Sequence, residues 1–176
     1  SVAFEGLHNP VELDVPKNVI IIDPAAFRTC VGIEKIDIAE GLREIRFYAF
    51  VTCGNLKSVT LPSTVESIEA SVFAYCDKLE TFKIYSKDVV YGENVFQYSD
   101  NVNIICRKNS TTEAYAKEYS IPYQCFYYVD FANTAGTKVE TRERISGEAV
   151  GTLPTLKRTG YNFKGWYTAK TGGTKV

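Results

Sequence analysis

The sequence has little of what catalysis, nucleic-acid binding or membrane insertion requires. Its single histidine, His8, lies in an irregular stretch near the start of the chain, whereas Ser-His-Asp and Cys-His sites need a histidine held by surrounding structure. The formal charge is −1, so no basic excess points to nucleic acid. Apolar runs such as residues 19–22 are far shorter than the roughly 18 residues of a membrane span.

Methionine and several familiar motifs are also missing. Because the chain contains no methionine, we expect that it was cut or processed at its front, and no signal peptide is present either. No Gly-rich phosphate loop, zinc-ligand spacing or Rossmann fingerprint occurs. Residues 153–157 begin like a sortase signal but lack its Thr and Gly. We therefore predict a protein that is not an enzyme, has no cofactor or metal, and neither binds nucleic acid nor inserts into a membrane.

What the sequence does contain is a repeat. Because a fixed period of 20 to 29 residues is the mark of a solenoid, a constant spacing of 23 residues between phenylalanines predicts the fold. Units this short cannot close a hydrophobic interior alone, so they must stack on copies of themselves. The repeated residues are Phe4, Phe27, Phe50, Phe73 and Phe96.

Other apolar columns keep the same register. Three of them spell L-x-x-L-x-L, the alternation expected of a short strand with one buried face. Stacking then predicts a parallel ladder of strands, a phenylalanine spine inside the coil, and only a turn or a single helical turn at residues 69–72. The three columns are Ile33, Leu56, Leu79, Val102, then Leu13, Ile36, Val59, Phe82, Ile105, and then Val15, Ile38, Leu61, Ile84.

Both ends of the repeat array depart from the pattern, as end units of a solenoid should. Asp88 and Arg107 occupy columns that are otherwise apolar. Beyond them, residues 111–119 have helical composition, with Ser110 or Thr111 as N-cap and Pro122 just past the end. We predict a capping helix near residues 111–120.

The repeat units resemble a known family. Residues 56–76, Leu-Lys-Ser-Val-Thr-Leu-Pro-Ser-Thr-Val-Glu-Ser-Ile-Glu-Ala-Ser-Val-Phe-Ala-Tyr-Cys, look like the BspA-like leucine-rich repeats of bacterial and protozoan surface proteins. The resemblance covers roughly residues 1–124 and includes residues 115–117 and 121–123, where that family places a Tyr-Ala-Lys helix and Ile-Pro-Tyr. It implies a leucine-rich repeat solenoid in a secreted or wall-attached, non-enzymatic protein, often called an adhesin.

A second module is expected at residues 125–176, where the repeat register is lost. Residues 126–131 and 137–145 read as strands separated by a turn at 133–136. Residues 160–167, Gly-Tyr-Asn-Phe-Lys-Gly-Trp-Tyr, resemble the signature of the Listeria-Bacteroides repeat, a small β-grasp-like module also met as the B-repeat of internalins. Such modules continue through a further strand, so we expect this one to be incomplete at its end.

Three of the five cysteines, Cys30, Cys53 and Cys76, share one repeat column. Stacked coils bring neighbours in that column within about 5 Å, which permits a disulfide by distance. Equivalent side chains in a parallel stack nevertheless point the same way, and an odd count leaves one thiol free. We favour buried, reduced thiols that act as small hydrophobes, with a disulfide as the second interpretation and a metal site as the third.

The outward positions of the strand ladder form the candidate binding face, called the ladder face below. It is mixed in charge and poor in the Trp, Tyr and Arg anchors that dominate protein recognition, so an ordinary solvated sheet is the competing interpretation. Tyrosines on or near loops provide a second candidate for contact with protein or sugar. The ladder face comprises Glu12, Asp14, Lys35, Asp37, Ser58, Thr60, Thr81 and Lys83, and the tyrosines are Tyr48, Tyr75, Tyr85, Tyr91 and Tyr98.

Two functions stay open at this point. The first is an extracellular or cell-surface module for adhesion or for protein or glycan interaction, whose partner is a host or bacterial surface molecule. The second is a structural spacer or self-associating stalk without a foreign ligand, because the ends of a parallel ladder offer unpaired edge groups.

Overall fold

A computed structural model describes residues 11–176, which form two compact units. The first unit ends at Cys125 and the second spans Phe126–Val176. Phe4 and His8, on which two of the expectations above depend, lie outside the described residues. In chain order the elements are β1 (Val11–Val15), β2 (Ile21–Ile22), β3 (Ile33–Ile38), β4 (Glu44–Ile45), β5 (Ser58–Leu61), β6 (Ser67–Ile68), β7 (Thr81–Ile84), β8 (Val90–Tyr91), β9 (Asn103–Arg107), α1 (Thr111–Glu118), β10 (Tyr123–Ala132) and β11 (Lys138–Ile145).

The first unit is a solenoid in which the coils that begin with β1, β3, β5 and β7 each contribute one strand to each of two parallel sheets, and the last coil contributes β9 to the ladder and is followed by helix α1. Strands β1, β3, β5, β7 and β9 form the ladder in that order, and the short strands β2, β4, β6 and β8 form the second sheet. The ladder pairs Ile36 with Val59 and Val59 with Phe82, so residues 23 apart in sequence lie side by side. All three are completely buried. The predicted solenoid and its strand ladder are confirmed.

The last coil departs from the predicted columns by one residue. Phe82 pairs with Ile104, and Ile105 lies beside Lys83 on the outward side. The prediction that Ile105 points inward is therefore wrong, and Cys106, not Arg107, takes the column of Ile84. The reason is that this coil is one residue shorter before its strand, and a slip of one residue moves a side chain to the opposite face of a strand.

Phenylalanine rings form a continuous stack inside the solenoid. The ring centroids of Phe27 and Phe50 are 5.1 Å apart, those of Phe50 and Phe73 are 5.5 Å apart, and those of Phe73 and Phe96 are 5.9 Å apart. The rings of each pair are nearly parallel, with interplanar angles of 2°, 4° and 11°. The predicted spine is confirmed for these four residues.

The third side of each coil is a turn held by the next coil. The N–H of Phe50 donates to the carbonyl of Val72 at 3.0 Å, and the N–H of Phe73 donates to that of Val95 at 2.9 Å. The predicted turn at residues 69–72 is thus part of a hydrogen-bonded ladder between coils. Each turn contains two residues with left-handed backbone, which form the rows Ala25, Tyr48, Ser71, Asn94 and Thr29, Thr52, Tyr75, Tyr98.

Helix α1 follows the last coil, as its composition predicts. The side chain of Ser110 accepts a hydrogen bond from the N–H of Glu113 at 3.1 Å, which satisfies one of the free donors of the first turn. Tyr115 and Ala116 are buried in the core of the solenoid, whereas Lys117 is exposed and pairs with Glu113.

The second unit is mainly β. Strands β10 and β11 pair antiparallel across a turn at Asn133, whose side-chain oxygen accepts hydrogen bonds from the N–H groups of Ala135 and Thr137 at 3.0 Å each. The ring of Trp166 lies 5.0 Å from that of Phe131. This contact gives the unit a small aromatic core of its own.

Candidate functional site

The ladder face forms two parallel rows on the outward side of the strands. The backbone pairing of the strands places Glu12, Lys35, Ser58 and Thr81 in one row, and Asp14, Asp37, Thr60 and Lys83 in the other. For Glu12 and Asp14 the structure describes the backbone position alone. The structure therefore brings the eight positions together, while any role in binding stays a prediction.

Two further residues extend these rows. Asn103 continues the first row beside Thr81, and Ile105 continues the second row beside Lys83. The sequence columns missed both because they assumed an unchanged period in the last coil. Ile105 adds a half-buried apolar side chain to a face that is otherwise polar.

The chemistry of the ladder face is that of a mixed polar surface. Lys35 and Asp37 are exposed, whereas Ser58, Thr60, Thr81 and Lys83 are half-buried. The ammonium group of Lys83 lies 4.6 Å from the ring centroid of Tyr85, within the range of a cation–π contact. Such a surface can exchange hydrogen bonds and ion pairs with a partner that lies across the strands.

Side-chain contacts between coils help to fix the edge of this face. Lys57 donates to the carboxylate of Glu34 at 2.7 Å, and Lys78 donates to the side-chain oxygen of Asn55 at 2.7 Å. The hydrogen bond from Lys57, reinforced by its charge, lowers the pKa of Glu34 below its usual value. Both contacts join residues one repeat apart, so they hold neighbouring coils in register.

The five predicted tyrosines divide into two groups. Tyr48, Tyr75 and Tyr98 are exposed at 48%, 47% and 56%, and the rings of Tyr75 and Tyr98 are 4.7 Å apart. Tyr85 and Tyr91 are half-buried. The exposed pair on adjacent coils is therefore a second surface available for contact with protein or sugar.

The cysteine column lies in the core, and its predicted burial is confirmed. The thiol of Cys53 donates to the carbonyl of Phe27 at 3.2 Å, and that of Cys76 donates to the carbonyl of Phe50 at 3.3 Å. In the turn that follows β8, Ser99 makes the equivalent bond to the carbonyl of Phe73 at 2.7 Å. Burial raises the pKa of Cys76 to about 12, so these thiols serve as neutral hydrogen-bond donors as well as small apolar groups.

No other chemical centre stands out in the described part of the chain. Across residues 11–176, no group of three or more His, Cys, Asp or Glu side chains is arranged to hold a metal ion. Within the same residues no helix is long and apolar enough to cross a membrane. An open groove of about 420 Å³ beside the ladder is lined by residues of both charges, among them Arg43, Glu66, Lys87 and Arg107.

Comparison with known proteins gives two family matches. The BspA type leucine rich repeat region, in six copies, matches residues 1–133, and the Listeria-Bacteroides repeat domain matches residues 127–176. Both resemblances drawn from the sequence are thereby confirmed. No curated protein matches the chain.

One solved structure is similar to part of this chain. It is the crystal structure of a leucine rich repeat protein of T. pallidum, with 17% sequence identity and a TM-score of 0.46. The similarity covers 55% of this chain and 58% of that one.

Proposed function

The chain belongs to the family of BspA-type leucine-rich repeat proteins, and on that premise we propose that it is a non-enzymatic adhesion or interaction protein, secreted or attached to the bacterial surface. The two matched families are repeat modules without catalytic activity. Repeat folds of this kind present extended, rigid surfaces to partners. The proposed partner is a host or bacterial surface protein or a glycan, and the proposed site is the ladder face.

The observation that supports this proposal is the rigid base beneath the ladder face. Every outward residue of β5 alternates with a side chain that is completely buried, namely Val59 and Leu61. Neighbouring strands continue the same arrangement with Ile36 and Phe82. Outward residues can therefore contact a partner without loss of core packing, and little conformational freedom is lost on binding.

A four-residue variant tests the ladder face. Replacement of Lys35, Asp37, Thr60 and Lys83 by alanine is expected to weaken binding to the cognate partner at least about tenfold, since it removes all the charges of β3, β5 and β7 on that face. Binding of the purified chain to immobilised matrix proteins, mucin and glycan arrays provides the measurement. The matched control replaces four exposed residues outside the strands by alanine and changes the net charge by the same amount. These residues are Lys17, Thr52, Asp100 and Lys108.

The control variant is expected to bind like the wild type. If the ladder-face variant binds every partner as well as the control does, the ladder face is not the site. Circular dichroism of both variants checks that the solenoid remains folded.

The alternative function, a self-associating stalk, is favoured by one observation. The second sheet carries exposed apolar side chains, Ile21 and Val90 at 36% and 73%, and Ile20, directly before β2, is exposed at 55%. If these residues mediate contact between copies, light scattering should show a molecular mass that rises with concentration. Replacement of Ile20 and Val90 by serine should then restore the monomer mass, and a concentration-independent monomer in the wild type would contradict the stalk.

A further inference from the structure

A concave pocket of about 370 Å³ lies between the coil of β7 and β8 and the capping helix, on a different part of the solenoid from the ladder face. We call it the cap pocket. Its inner wall is aromatic and two acidic side chains lie on its rim. Its principal residues are Tyr91, Gly92, Glu93, Tyr115, Glu118 and Tyr119.

The aromatic wall is a stack of three tyrosine rings. Tyr115 lies between the other two, with centroid distances of 4.4 Å to Tyr91 and 4.5 Å to Tyr119. The hydroxyl of Tyr91 is hydrogen-bonded to that of Thr112 at 2.8 Å, which ties the stack to helix α1. Both faces of Tyr115 are covered by its neighbours, whereas Tyr119, at the end of the stack, is 46% exposed.

Gly92 lines the cap pocket with its main chain alone; a Cβ atom at this position would lie against the backbone of Ala70 in the preceding coil. In the preceding coils the equivalent positions are Asp23, Arg46 and Glu69. Arg46 contacts Asp23, and Glu69 accepts a hydrogen bond from the N–H of Phe47 at 2.8 Å. The row of polar side chains thus stops at the coil of β7 and β8, where the pocket lies.

The rim carries two negative charges without a counter-charge. Among residues 11–176, neither Glu93 nor Glu118 has a side-chain hydrogen bond or an ion pair, and both are exposed. The nearest lysine in sequence, Lys117, pairs with Glu113 at 2.6 Å. No lysine or arginine lines the cap pocket, so its charge is complementary to a cation.

We propose that the cap pocket binds a basic side chain, arginine or lysine, exposed on a partner protein. The carboxylates of Glu93 and Glu118 hold the cationic group, since charge-assisted hydrogen bonds to carboxylates are the strong ones. The apolar stem of the side chain packs against the tyrosine stack, and a guanidinium group stacks on the open ring of Tyr119. The site is separate from the ladder face and does not depend on it.

Titration of the full ¹⁵N-labelled chain with a short peptide tests the proposal by NMR. The probe is acetyl-Gly-Arg-Gly-amide, and the matched peptide is acetyl-Gly-Gln-Gly-amide. We expect the arginine peptide to shift the amide signals of residues 91–93 and 114–119, with a dissociation constant on the order of 1 mM as for a single anchor side chain. The glutamine peptide should leave these signals in place.

Charge-neutral variants assign the contact to the rim. Glu93→Gln combined with Glu118→Gln is expected to raise the dissociation constant at least about tenfold, whereas the matched double variant Glu80→Gln with Asp100→Asn should bind like the wild type. Equal shifts by the two peptides, or unchanged binding by the rim variant, would overturn the proposal. So would methyl glycosides that shift the same signals, because they would assign a sugar site. The ladder-face variant should bind the arginine peptide as the wild type does. Binding at the cap pocket can therefore be tested independently of the proposed function of the ladder face.

Discussion

Replacement of Phe73 by alanine is expected to lower the free energy of unfolding of the solenoid by about 3–5 kcal/mol. Phe73 is completely buried and contacts three other rings, those of Phe50, Phe82 and Phe96, at centroid distances of 5.5, 5.5 and 5.9 Å. Truncation removes all of these contacts and leaves a cavity in the middle of the stack. Since the coils on either side press against that position, relaxation into the cavity is restricted.

The effect should also extend beyond the lost contacts. Each coil of a solenoid contacts its immediate neighbours alone, so cooperativity depends on every interface in the series. Urea unfolding followed by circular dichroism should show a lower midpoint for Phe73→Ala and a smaller dependence of the unfolding free energy on urea concentration. The latter change would indicate that the two halves of the stack no longer unfold together.

Phe47 provides the matched control for this prediction. It is also a phenylalanine of a turn in the solenoid, but it is 46% exposed and its one ring contact is with Tyr48, at 5.8 Å. Phe47→Ala is expected to change the unfolding free energy by less than about 1 kcal/mol. Equal losses in the two variants would show that the phenylalanine stack does not hold the coils together.

The fold was predictable because one short period places most of the core residues of the solenoid. Once Phe27, Phe50, Phe73 and Phe96 are aligned, the alternation around Val59 gives the strand, its buried face and its neighbours in the ladder. Each of these inferences depends on local sequence and on the rule that short units must stack. No long-range contact had to be guessed.

The error in the last coil has an equally physical origin. Ile104 and Ile105 are adjacent and identical, so the sequence does not show which of them points inward. The pairing with Phe82 and Lys83 decides the matter. When two isoleucines follow each other, the hydrophobic pattern does not show that the coil is one residue shorter. The missing residue nevertheless exchanges the inward and outward faces of the strand.

The cap pocket could be predicted from the sequence only in part. Tyr115 and Tyr119 are four residues apart on a predicted helix, so their contact could be expected. The stacking of Tyr91 on Tyr115 depends on how helix α1 docks against the coil of β7 and β8, which composition does not specify. The hydrogen bonds of Cys53 and Cys76 to backbone carbonyls were hidden for the same reason, since they require the orientation of carbonyl groups in another coil.

Gly92→Ala is the second large effect that we expect, with a loss of about 3 kcal/mol in the free energy of unfolding, as for an overpacked core. A Cβ atom at this position would lie 2.4 Å from the backbone nitrogen of Ala70 and 2.7 Å from the carbonyl carbon of Glu69. These are main-chain atoms, so no flexible side chain can move aside. The N–H of Gly92 also donates to the carbonyl of Ile68 at 2.8 Å, and separation of the coils would break that bond.

Gly54→Ala is the control that isolates the steric cause. A Cβ atom at Gly54 would meet no atom within 4 Å, and its backbone lies outside the left-handed region. Alanine there should be neutral or stabilise the protein by about 0.5 kcal/mol, because it restricts the unfolded chain. Thermal and urea unfolding of both variants provide the comparison. If Gly92→Ala is as well tolerated as Gly54→Ala, the two coils are not in close backbone contact at Gly92.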